Sequence, residues 1–264
     1  MDFDHYQHIR FSRAGRVLTA TLNRPEARNA VNARLHTELS RLFVDLQRDP
    51  DSDVVVLTGA GACFCAGGDI DWMQSHVDDP AAFERMAREG KDIAFGQLDL
   101  EKPLICKLNG HATGLGASLA LLSDIVVASS EARIGDPHVS VGLVAGDGGA
   151  LIWPQIVGYA KARKYLFTGE LIGATEAERL GLITEVVAPE ALDAQVDGLA
   201  QRLATGATLA LRYTKITTNL PLRALFHAHF DAGLAYECLS NRSADHAEAV
   251  AAFRERRKPV FTGQ

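Results

Sequence analysis

Apolar positions along this chain recur with two periods, and the change from one to the other divides it. Val17-Leu-Thr-Ala-Thr-Leu22 alternates apolar with hydroxyl-bearing side chains, the period of a half-buried strand, and Asn23-Arg24-Pro25 stops it. Asn32 predicts a helix N-cap, followed by Leu35, Leu39, Leu42, Phe43 and Leu46 on one helical face. Val54 to Thr58 is an apolar run of strand length, and Pro80 to Gln97 carries Phe83, Met86 and Ile93 at helical spacing. Leu104–Leu108 and Ile125–Ala128 predict two further strands, with a helix opening near Gly116 between them. Such alternation predicts an α/β core. From Thr175 the pattern turns helical: Thr175 is expected to cap a short helix ending at Gly181, and Thr184–Val187 is one last strand. Three helices are predicted after it, over Leu192–Leu203, Pro221–Cys238 and Ser243–Arg257. No linker, repeat or low-complexity tract appears. The expected division is an α/β core over residues 1–195 and a C-terminal helical region over 196–264.

Composition narrows the function classes. With 264 residues, 47% of them apolar, the chain can bury a full core. Lys and Arg number 27 against 33 Asp and Glu, a net charge of −6 with no basic stripe, so nucleic acid is not an expected partner. Met1-Asp-Phe-Asp-His-Tyr6 lacks the charged-then-apolar pattern of a secretory leader. The apolar run from Leu119 to Ala128 is broken by Ser123 and Asp124, so no membrane span is expected. Four cysteines (Cys63, Cys65, Cys106 and Cys238) imply a reducing, cytoplasmic compartment. Cys63-Phe64-Cys65 has the wrong spacing for a zinc hook and reads as packed thiols, so no metal is expected.

Two glycine turns carry the candidate chemistry. One runs from the strand Val54–Thr58 through Gly59-Ala-Gly-Ala-Cys-Phe-Cys-Ala-Gly-Gly-Asp69, the other from Leu104–Leu108 through Asn109-Gly-His-Ala-Thr-Gly-Leu-Gly116. Each brings small residues, and so bare backbone N–H groups, to the mouth of a strand. Two such mouths facing each other form an oxyanion hole, a site that stabilises negative charge on a carbonyl oxygen. Tight turns between strand and helix are the plainer alternative. Gly59-Ala-Gly61 lacks the third glycine of a dinucleotide fingerprint, since Phe64 stands there, and no P-loop pattern exists. Ser118 sits in Gly116-Ala-Ser-Leu-Ala120, which is not the nucleophile elbow of an α/β-hydrolase.

The combination Leu22-Asn-Arg-Pro-Glu-Ala-Arg-Asn-Ala30, Phe64-Cys-Ala-Gly-Gly-Asp69 and Asn109-Gly-His-Ala-Thr-Gly-Leu-Gly116 resembles the enoyl-CoA hydratase/isomerase (crotonase) family. Leu119-Ala-x-x-Ser-Asp-Ile125, Ala174-x-x-Ala-x-x-Leu-Gly-Leu182 and Phe253-x-x-x-Arg-Lys258 continue the likeness in the family's order. The resemblance implies a ClpP/crotonase spiral of ββα units with a C-terminal helical trimerisation region, assembled as a homotrimer or homohexamer. It also implies an acyl-CoA thioester as substrate and no separate cofactor, coenzyme A being part of the substrate. By position it assigns the oxyanion hole to the backbone N–H groups of Gly68 and Leu115. Arg24, Ala27, Ala30, Ala66, Asp69 and Ile70 fall where the family lines the coenzyme. Lys258, with Arg254, Arg256 and Arg257, stands where coenzyme phosphates or a helix dipole could be met, and Trp72 with Met73 where the acyl group could lie.

The proton-handling residues depart from the pattern. Two glutamates hold the water in a hydratase of this family, and the matching positions here are Ser118 and His138, so standard hydration cannot run unaltered. Instead Gly135-Asp-Pro-His-Val-Ser-Val-Gly142 brings His138, and Asp147 follows nine residues on; a carboxylate bonded to an imidazole fixes its tautomer and stabilises the imidazolium. His138 oriented by Asp147 is the expected base, Ser118 is expected as a packing residue before a nucleophile, and Asp136 as a turn cap. The His/Asp spacing with Trp153-Pro154 also resembles the branch that hydrolyses carbon–carbon bonds of cyclic β-diketones, although that branch uses a histidine near the position of Leu115. A catalytically silent acyl-CoA-binding relative is the third alternative.

Overall fold

Consecutive strands of this chain go to different sheets. The computed structural model describes residues 2–264. After an antiparallel entry pair, β1 (Ile9–Ala14) and β2 (Val17–Leu22), each repeat places one strand in a large sheet and the next in a small one. The pairs are β3 (Val54–Gly59) with β4 (Cys63–Cys65), β5 (Leu104–Leu108) with β6 (His111–Thr113), and β7 (Ile125–Ser129) with β8 (Arg133–Gly135). Helices follow each pair: α2 (Ile70–Asp78) and α3 (Pro80–Asp99), then α4 (Leu115–Leu121), then α5 (Gly149–Thr168). The large sheet has the order β1-β2-β3-β5-β7-β10, the small one β4-β6-β8-β9, with β9 at Ile172–Gly173 and β10 at Glu185–Val187. Apart from β1–β2 and β8–β9 the pairing is parallel. This is the expected spiral of ββα units.

Burial explains the patterns. α1 (Ala33–Arg48) starts where Asn32 accepts the Leu35 N–H at 2.9 Å, and Leu35, Leu39, Leu42, Phe43 and Leu46 are all buried. β3 reads as an unbroken apolar run because both its faces are covered. Val55 and Leu57 join the main core, while Val54 and Val56 meet α7 (Leu192–Ala204) through Leu192, Val196 and Ala200. The expected 195/196 division therefore falls inside α7, a helix that packs on the sheet.

Several elements differ from expectation. The short helix α6 (Ala174–Arg179) is preceded by Gly173, so Thr175 lies in its first turn and does not cap it. α8 (Thr208–Asn241) runs straight through Pro221, where a helix start is predicted. Proline removes one N–H and crowds the preceding turn, but buried anchors on both sides hold the helix together. Lys215 Nζ meets Asp124 at 2.7 Å and the Lys102 carbonyl at 2.9 Å, and Phe226 and Phe230 are fully buried. α9 (Ala244–Arg254) stops three residues before Arg257. β1, the short strands of the small sheet, α2 and α5 carry no period that sequence reading could find. α5 is punctuated by Pro154 and by Gly158 at φ +75°. No helix among the described residues is long and apolar enough to cross a membrane.

Candidate active site

The two glycine turns meet. Gly68 is bridged in parallel to Val31: the Val31 N–H binds the Gly67 carbonyl at 2.7 Å and the Asp69 N–H binds Val31 at 2.9 Å. In such a bridge the intervening N–H, that of Gly68, points away from the partner strand. Leu115 is the first residue of α4, so its N–H has no acceptor within the helix. Gly114, at φ +54°, makes the turn that aims it. A Cβ added to Gly114 would lie 3.4 Å from His138 Cε1 and 3.9 Å from Gly67 Cα, and one on Gly67 would lie 3.0 Å from the Thr113 carbonyl. Both turns and the imidazole therefore share one small space.

That space opens into two cavities. One, of about 670 Å³, is lined by Gly68, Leu115, His138, Asp147, Trp72 and ten or so other residues. The other is a groove of about 1200 Å³ whose lining includes Ala27, Ala30, Ala66, Asp69 and Ile70. Gly68, Met73 and His138 line both, so the groove leads to the inner cavity past the first oxyanion donor.

Other sequence-predicted residues sit elsewhere. Arg24 pairs with Asp69 at 3.1 Å and also donates to the Ala30 carbonyl, so it ties the first loop to the second from behind the groove wall. Its neighbour Arg28 does line the groove, held at φ 53°. Asn29 at φ 55° supports this left-handed pair: its amide donates to the Ala60 and Cys63 carbonyls at 2.9 and 2.7 Å, and its oxygen accepts the Arg24 N–H at 2.8 Å. Lys258 is exposed and lines neither cavity. Among the tail cations Arg254 reaches towards α2, 3.8 Å from Asp71, while Arg257 is engaged by Glu248 and Glu255.

The acid–base centre holds four groups, two of them unforeseen. His138 Nε2 stands 3.7 Å from Asp147 Oδ2, so that expected pair is present. Its orientation, however, comes from Asp136, whose carboxylate takes the Nδ1 hydrogen bond and is fully buried. Asp136 also accepts the His138 N–H at 3.4 Å, so it caps the turn as well. Ser118 donates to Asp147 at 3.3 Å and is not bonded to His138, so it is not set up as a nucleophile, and it lies behind the cavity wall. The fourth group is Glu237, which α8 carries into the cavity lining.

Three carboxyls and one imidazole in a buried space must share protons. Burial disfavours the imidazolium of His138, but Asp136 and Asp147 outweigh it and hold the pKa well above 6.5. His138 is therefore the charged partner at neutral pH, and a base only after it gives up that proton. Burial raises Asp147, with His138 opposing. Glu237 is pushed from 4.5 to about 8, first by burial and then by the Asp147 charge, which makes it a carboxylic acid at pH 7. Asp136, His138 and Asp147 also offer ligand atoms within 4.8 Å of one another, a donor set of the kind that holds a metal. With Nδ1 committed to Asp136, only His138 Nε2 and Asp147 face the cavity, and two ligands make a poor cage.

Comparison with known proteins identifies the family and the fold. The sequence model of the enoyl-CoA hydratase/isomerase family matches residues 12–264. The chain is 36% identical to the 1,2-epoxyphenylacetyl-CoA isomerase of Escherichia coli over 94% of its own length and 95% of that protein. A crystal structure of an enoyl-CoA hydratase/isomerase from Mycobacterium paratuberculosis superposes with a TM-score of 0.90 at 36% identity, covering 94% of this chain and 99% of that one. A β-diketone hydrolase from the cyanobacterium Anabaena, bound to (S)-3-oxocyclohexyl acetic acid, superposes at 0.85 with 31% identity, covering 91% and 96%.

Proposed function

This chain belongs to the enoyl-CoA hydratase/isomerase family and acts on CoA thioesters, and on that premise we propose that it works through an enolate with His138, Asp147 and Glu237 in place of the usual two glutamates. The observation that carries the reading is that Gly68 and Leu115, both with unspent N–H groups, line the same cavity as a buried imidazolium–carboxylate pair and a neutral acid.

The coenzyme lies in the groove along Ala27, Ala30, Ala66 and Ile70, and the thioester reaches the inner cavity past Gly68. Its carbonyl oxygen accepts from Gly68 and Leu115, each donor being worth about 3 kcal/mol as charge develops. The first turn of α4 adds its dipole at the same point. Asp147, ionised beside the imidazolium, removes the proton next to the carbonyl. The electron pair moves onto the oxygen, and His138 stabilises the enolate from Nε2. Glu237 holds a proton at pH 7 and delivers it to carbon, or to an oxygen that leaves, which is the step that separates isomerisation from hydration or its reverse.

Assembly as a homotrimer or homohexamer is part of this reading, supported by exposed Tyr213, Tyr236 and Leu239 on α8 and Phe167 on α5. A reducing compartment such as the cytoplasm is supported by four free thiols. Hydrolysis of a free cyclic diketone is the second reading, favoured by the likeness to the β-diketone hydrolase and by the His138–Asp147 contact. The open coenzyme groove favours the first. NMR of deuterium uptake at the α-carbon of phenylacetyl-CoA in D2O tests it: uptake is expected, with a loss of about 10²–10⁴-fold in Asp147→Asn. No uptake from any acyl-CoA, with turnover of a cyclic β-diketone, would establish the second reading instead.

A further inference from the structure

Away from the acid–base groups the inner cavity has another polar wall. His36 on α1 and His76 on α2 both line it, and both are buried, with 3% and 5% exposure. Trp72 touches each of them, with ring centroids 5.2 Å from His36 and 4.7 Å from His76, and Phe83 meets His76 edge-on at 5.1 Å. Neither histidine contacts Asp136, His138, Asp147 or Glu237 through a hydrogen bond or ion pair.

Their hydrogen-bonding capacity is unspent. His36 Nδ1 binds Glu89 at 2.7 Å, and Thr37 donates to the same carboxylate at 2.9 Å. A carboxylate can only accept, so Nδ1 carries the proton, and Nε2 is the ring atom left for the contents of the cavity. His76 has no protein hydrogen-bond partner at either ring nitrogen among the described residues, and its backbone carbonyl accepts from Asn241. Burial pushes its pKa down to about 4, so at neutral pH it presents one N–H and one lone pair. Met86 and Leu234 nearby offer nothing polar in return. Buried polar groups in native proteins are rarely left unmatched, and here only the contents of the cavity can match them.

Resting on the acyl-CoA reading above, we propose that the acyl group carries a hydroxyl on a compact aromatic ring, remote from the thioester, and that His36 and His76 read it. A hydroxyl is donor and acceptor at once: it donates to His36 Nε2 and accepts from the His76 N–H. The rings of Trp72, His76 and Phe83, packed on one another along this wall, suit a planar ring. Glu89 and Thr37 act as positioning residues for His36.

Calorimetric titration with phenylacetyl-CoA and with its 3-hydroxy- and 4-hydroxyphenyl counterparts tests this. At least one hydroxylated thioester is expected to bind tenfold or more tightly than phenylacetyl-CoA. His76→Phe keeps the ring contacts, and His36→Asn keeps a donor towards Glu89; each should bring that ratio to within threefold of one. A ratio within threefold in the unaltered protein overturns the proposal, and so does a preference that survives in both variants. If phenylacetyl-CoA binds without a hydroxyl preference, only this inference fails. If no thioester binds, the acyl-CoA reading falls and takes this one with it.

Discussion

Replacing Glu237 by glutamine should change how stability depends on pH, more than it changes stability itself. Glu237 is 6% exposed and keeps its proton to about pH 8, whereas an ordinary glutamate loses it near 4.5. Between those values the folded state holds a proton that the unfolded state has released, so unfolding releases it. Stability therefore falls as pH rises across this window, at up to about 1.4 kcal/mol per pH unit. Over the whole window the loss is on the order of 5 kcal/mol, and between pH 5.5 and 8 on the order of 3 kcal/mol. Glutamine has the shape of the neutral acid and no proton to lose. Glu237→Gln should thus gain on the parent as pH rises, by roughly 6–12 °C in Tm between pH 5.5 and pH 8, at 2–4 °C per kcal/mol. Thermal melts of both proteins at pH 5.5, 6.5, 7.25 and 8 supply the comparison. Parallel curves would refute the claim that Glu237 is buried as a neutral acid.

The remaining expectations concern single contacts. Ser118→Ala should slow α-proton exchange by about tenfold at most, since Ser118 only supports Asp147; a loss of 10⁴-fold or more would restore the serine as a nucleophile. Gly149→Ala places a Cβ 1.8 Å from Asp136 Oδ2, so it should cost about 3 kcal/mol or more and move the His138 titration seen by NMR; an unchanged Tm would show that the loop yields freely. Lys102→Met leaves the Leu46 carbonyl, the Asp49 carbonyl and the Ser52 hydroxyl without their buried cation, which should lower stability by about 2–4 kcal/mol in urea unfolding and leave exchange kinetics untouched.

What could be read ahead of the structure was local. The Asn32 cap, the inward stripe of α1, the apolar run of β3 and the glycine turns each announce themselves within ten or so residues. The residues that escaped are those whose meaning depends on a distant partner. Asp136 looks like a turn residue until Gly149 leaves room for its carboxylate beside His138. Glu237 lies in a helix that Pro221 seemed to begin, and nothing within that helix marks it as a cavity group. His36 and His76 lie on amphipathic helices, where a satisfied core histidine is the ordinary case. Only the meeting of α1, α2 and α3 shows that they are not satisfied. The strands β4, β6 and β8, three residues each, are too short for any period to appear.

The descent of α8 into the cavity has a consequence for the life of the polypeptide as it is made. Both glycine turns, His138 and Asp147 leave the ribosome well before Glu237. The helix that closes the cavity is anchored at Lys215 and again at Asn241, which holds the His76 carbonyl at 3.1 Å. The inner cavity is therefore complete only once α8, the last of its walls in chain order, has docked on the elements before it.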